Sequence, residues 1–133
     1  MGQPAAKMGD QVTAIDIHIV MVPAPPGPPV PTPLPHPFAG TIMGGVSANV
    51  NIMGQPAAVM GSTVQNQPPH LPTPPGTMFQ IPPTNQGTII KGSATVMINN
   101  KPAARNGDMV QTCTDVPTSP GQVIAVGTVF IGG

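Results

Sequence analysis

The sequence predicts an all-β fold of three equivalent hairpin units set around one axis, with little helix. Three observations carry that prediction. The 133 residues include 16 glycines and 21 prolines, which interrupt every stretch long enough for three helical turns. One nine-residue segment occurs three times: GQPAAKMGD at Gly2–Asp10, GQPAAVMGS at Gly54–Ser62 and NKPAARNGD at Asn100–Asp108. Apolar residues recur with a period of two just before the motif, at Val50 and Ile52, Val96 and Ile98, and Val129 and Ile131, as half-buried strands require.

Taken along the chain, the first motif copy opens the sequence. Its own leading strand is missing there and is supplied by Gly121–Gly133 (GQVIAVGTVFIGG) at the other end. The repeat is therefore circularly split, and Gly121–Gly133 is expected to form one hairpin with Met1–Asp10. The other two copies follow GTIMGGVSANVNI at Gly40–Ile52 and GTIIKGSATVMI at Gly87–Ile98 without interruption. Between strand and motif, Met53-Gly54 and Asn99-Asn100 supply residues that tolerate positive φ, so each reads as a turn. The Ala-Ala pair of each motif reads as close packing where the units converge. Two proline-rich spans, Pro23–Pro37 and Pro68–Pro83, read as stiff ordered loops, since proline lowers the entropy lost on ordering. The length suits one domain over 1–133.

Composition narrows the function. Four basic and four acidic residues give no net charge, so a basic nucleic-acid surface is not expected. No apolar run approaches the ~18 residues that span a bilayer, and no signal peptide is expected. Hydrophobic content of 39% at zero net charge argues against disorder. With only 2% aromatic residues the core must be thin, and such a chain needs a staple. A single cysteine cannot form an internal disulfide.

The expected staple is a metal. His18 lies eight residues after Asp10, His70 eight after Ser62, and Cys113 five after Asp108, while His36 sits in the first proline-rich span. Three imidazoles and a thiolate suit a tetrahedral, closed, structural zinc. No catalytic or organic-cofactor site is expected. Cys113 has no recognisable oxyanion loop, no serine sits in a nucleophile elbow, and the motif glycines lack the lysine-serine/threonine pair of a phosphate loop.

The segment Pro102–Arg105, with its variants Pro4–Lys7 and Pro56–Val59, resembles the PAAR-repeat family of spike-tip proteins from contractile injection machines, namely type VI secretion systems and phage-tail-like particles. The resemblance implies a small cone of β-hairpins with pseudo-threefold symmetry, zinc near the point held by His18, His36, His70 and Cys113, and no enzymatic activity. It implies a structural tip that caps and sharpens a trimeric VgrG-like spike, one copy per trimer, and helps to pierce a target membrane. An adaptor that attaches effector cargo to the spike is the alternative. The chain would be made in the cytoplasm, assembled into the particle and delivered outside the cell or into a target cell, with no toxin expected after Gly133. Ile42, Ile89 and Ile124 are expected at the spike contact. Only the third copy has the full Pro-Ala-Ala-Arg: Lys7 and Val59 replace the arginine, and Ser62 replaces the terminal aspartate.

Overall fold

The computed structural model describes residues 2–132. No helix occurs among them. The strands are β1 (Gln3–Pro4), β2 (Gln11–Val22), β3 (Val30–Gly44), β4 (Asn51–Ile52), β5 (Gln55–Pro56), β6 (Thr63–Asn66), β7 (Met78–Phe79), β8 (Gln86–Ile89), β9 (Met97–Ile98), β10 (Lys101–Pro102), β11 (Met109–Gln111), β12 (Gly121–Ile124) and β13 (Phe130–Ile131). The all-β expectation holds.

Six strands close into a small barrel in the order β2-β3-β6-β8-β11-β12, with β12 returning to β2. Inside it Val12, Val64 and Val110, each two residues past a motif, meet Ile42, Ile89 and Val123 from the strands that precede one. Phe38 plugs the barrel toward the long β2–β3 hairpin. A Cβ on Gly40 would run into Val64 and Phe38, so a glycine here leaves the room that the aromatic ring occupies.

At the other end the three motif segments hydrogen-bond to one another in a cycle. The amide of Ala6 donates to Ala104, that of Ala104 to Ala58, and that of Ala58 to Ala6, at 2.9–3.1 Å. The amides of Met8, Met60 and Asn106 close a second cycle onto Pro56, Pro102 and Pro4, each at 2.8 Å. All six alanines are at most 2% exposed; a larger side chain would force the backbones apart. Beyond them the hairpins β4–β5, β9–β10 and β1–β13 share one register, pairing the proline with the residue before the isoleucine. Ile52, Ile98 and Ile131 form a second small core with the outer alanines. The circularly split repeat is thus closed: Gln3 pairs with Ile131. Met1 and Gly133, the outermost residues of that expected hairpin, lie outside the described residues. The turns have positive φ at Met53 and Gly54 and at Asn99 and Asn100, the geometry that a two-residue hairpin turn requires.

The last motif residue has one job in all three copies. Asp10, Ser62 and Asp108 each accept the amide of the residue three earlier, at 2.7–2.9 Å. Where that earlier residue is cationic, an ion pair is added: Lys7–Asp10 at 2.9 Å and Arg105–Asp108 at 3.0 Å. In the second copy both charges are gone together, and Val59 is buried beside a serine. Ser62 keeps the acceptor role and donates to the Gly45 carbonyl at 3.0 Å. The arginine is therefore dispensable wherever its carboxylate is also replaced. Ser62→Ala strands the buried Val59 amide and should cost about 1–3 kcal/mol, measurable by urea denaturation.

Two expectations need correction. The proline-rich spans are not all loop: β3 begins at Val30, so only Pro23–Pro29 of the first lies outside the ladder, and the second contains β7, which pairs with β2. Pro31, Pro33, Pro35 and Pro37 alternate along β3. Because backbone groups alternate sides in a strand, all four missing amides face the edge away from β2; the Pro35 carbonyl, for example, faces outward to the Thr73 hydroxyl. Proline is tolerated at that edge and protects it from pairing with another strand. Second, Ile42 and Ile89 point into the barrel, 0% and 1% exposed, and cannot make an outside contact. Their outward neighbours Met43 and Ile90 stand at the positions equivalent to Ile124, at 44–48% exposure. Val123, not Ile124, is the residue in step with Ile42 and Ile89.

Candidate metal centre

β2 enters the barrel end with inward residues Val12, Ala14, Asp16, His18 and Val20. Apolar Ile15 is half exposed, whereas Asp16 and His18 are fully buried. A strand that turns its aspartate and histidine inward and an isoleucine outward defies the hydrophobic pattern, and needs polar partners inside.

Those partners arrive from two other segments. His70 is brought in by a side-chain brace. Asn66, in β6, accepts the Ala39 amide and donates to Asn85, and the same Asn85 oxygen accepts the His70 amide at 2.8 Å. Asn85 has φ of 60°, a left-handed geometry that asparagine tolerates. Cys113 is delivered by a segment lying along the edge of β2 between the stretches taken by β12 and β7. The Asp115 amide donates to the Ile17 carbonyl at 2.9 Å, and the Ile17 amide donates to the Thr114 hydroxyl at 2.8 Å. Thr112 donates to Asp16 Oδ1.

The donor atoms of Asp16, His18, His70 and Cys113 all lie within 4.8 Å of one another. His70 Nε2 is 2.8 Å from Asp16 Oδ2, Cys113 Sγ is 3.3 Å from the same oxygen, and Cys113 Sγ is 3.6 Å from His18 Nε2. The edges of a tetrahedral zinc site with bonds of 2.0–2.3 Å are about 3.3–3.8 Å, so the set is close to the size the ion needs. His18 turns Nε2 to this group; its buried Nδ1 faces away toward Asp115 Oδ2 at 3.3 Å, out of hydrogen-bond alignment, and has no other partner among the described residues. Donor chemistry and dimensions both fit a metal, and these four residues could hold one.

His18, His70 and Cys113, expected as ligands, are thus together. His36 packs its ring on the same group, with centroids 5.3 Å from His18 and 5.7 Å from His70. Its Nδ1 lies 2.8 Å from the Leu34 carbonyl, and its Nε2 accepts the Thr73 amide at 3.2 Å. Phe79 closes over the His18 and His36 rings at 5.6 and 5.3 Å. Burial, then the neighbouring histidines, hold His36 below the usual imidazole range, against the raising effect of the Leu34 carbonyl. Burial and the Asp16 carboxylate push the Cys113 thiol up to about 11. A bound cation would reverse that, because it favours the thiolate.

Asp16 was not foreseen. Its spacing from His18 was the available clue, since residues two apart on a strand share a face.

A family model described as PAAR motif matches residues 79–133. The matched span holds the third motif copy, Cys113 and the strand that pairs with β1. No curated protein matches the chain.

Proposed function

We propose that this chain, which carries a PAAR motif over residues 79–133, is the structural tip of a contractile injection machine: a single unit over 1–133 that caps a trimeric VgrG-like spike and sharpens it for entry into a target membrane. The observation that carries the reading is the set of three hairpins in one register around a closed ring of motif segments. A threefold arrangement of such hairpins can meet three identical protomers, one each. Outward Met97 and Phe130, equivalent positions on two of the hairpins and both more than half exposed, are proposed as apolar contacts there. At the other end a zinc held by Asp16, His18, His70 and Cys113, with the His36 ring packed against them, would tie the β2–β3 hairpin to the two segments beside it. The role is mechanical, with no catalysis. The chain is proposed to join the particle in the cytoplasm and to leave the cell with it.

The complex co-purified with the cognate spike should contain one copy of this chain per three spike chains, by native mass measurement. A 3:3 complex, or none with the cognate trimer, would reject the tip reading.

A further inference from the structure

We propose that Asp115 is a positioning residue for the metal, acting through His18; this rests on the metal reading above. His18 is wholly buried, and its two ring nitrogens face different groups. Nε2 faces the cluster, 3.6 Å from Cys113 Sγ and 3.8 Å from Asp16 Oδ2. Nδ1, on the far side, faces Asp115 Oδ2 at 3.3 Å. A ligating imidazole needs its second nitrogen protonated and held, and a carboxylate does this best: it fixes the tautomer, aims the ring and makes the ligating nitrogen a better donor.

Asp115 is itself built into place. Its amide donates to the Ile17 carbonyl at 2.9 Å, and its Oδ2 accepts the Ile19 amide at 3.2 Å. It therefore bonds to β2 on both sides of His18, and its side chain is only 14% exposed. Two residues earlier the same segment carries Cys113. One short stretch thus supplies a donor to the cluster and the carboxylate behind another donor, so the loop that brings the sulfur also aims the ring opposite it. The arrangement gives Asp115 work that capping the Ile19 amide alone would not.

The test is zinc affinity, by competition with a chromogenic chelator, together with melting temperatures of the zinc-loaded and chelator-stripped protein. Asp115→Asn keeps an oxygen for Ile19 but loses the charge; Asp115→Ala loses both. Each should bind zinc about 10–100-fold more weakly than the unaltered chain, and the gap between loaded and stripped melting temperatures should shrink. Ser62→Ala, remote from the site, should lower both temperatures alike and leave the affinity unchanged. Affinity within about twofold of the unaltered chain for both Asp115 variants, or an equal fall of both melting temperatures, would overturn the proposal. Absence of zinc binding by the unaltered chain would instead overturn the metal reading itself, and Asp115 with it.

Discussion

Stripping the metal with a strong chelator is expected to lower the melting temperature by about 10–20 °C. Asp16, His18, His36 and His70 are buried together with a half-buried thiol, and they come from β2, β3 and two separate loops. An ion would neutralise and bond donor groups that otherwise stay desolvated and crowded together. At a free metal concentration about a thousandfold above Kd, binding to the folded state alone adds about 4 kcal/mol. For a chain of this size each kcal/mol moves the midpoint by about 2–6 °C. Cys113→Ser removes the thiolate with little change in volume and should melt, zinc present, near the stripped protein. Elemental analysis finding no stoichiometric transition metal, or a melting temperature unmoved by the chelator, would reject the staple.

Deleting Val126–Gly133 should unfold the chain. The deletion removes β13, and with it Ile131 from the second core. It also strands the buried Ala5 amide, which donates to Val129 at 2.8 Å. Loss of a buried isoleucine costs about 2–5 kcal/mol and an orphaned buried amide about 1–3 kcal/mol more. Together these reach a large part of the 5–15 kcal/mol typical of a whole domain. The complementary variant joins residue 133 to residue 1 and opens the chain at Gly27, in the exposed turn between β2 and β3. It should fold, because it makes continuous the hairpin that the chain ends already build. Far-ultraviolet circular dichroism and urea titration check both. A truncated protein with unchanged stability would show that the closure contributes nothing.

Much of the fold was legible because the repeat is local and repeated three times. Pro-Ala-Ala, the turn residues and the split hairpin each had a sequence counterpart, and each has its place in the structure. What escaped depended on what lay across from a residue. Prolines 31, 33, 35 and 37 read as loop because a ladder ordinarily needs amides; only an edge without a neighbour makes them compatible with a strand. Ile42 and Ile89 read as contact residues because period two alone does not say which face is the inside. At the site, three donors could be named from their offsets to the motif. Asp16 was missed because its burial is dictated by His70 and Cys113, which are 54 and 97 residues away in sequence.

Joining three motif copies in one polypeptide has a compositional consequence. Three identical chains around an axis would present three of every donor, so a shared ion could see only matched sets, such as three imidazoles or three thiolates. Here each copy is followed by different residues: an aspartate and a histidine after the first, a histidine after the second, a cysteine after the third. The single chain can therefore assemble a mixed oxygen, nitrogen and sulfur environment, while the alanine ring at the opposite end keeps its equivalent hydrogen bonds. One end stays uniform and the other is free to specialise, and that freedom comes from covalent linkage between the copies.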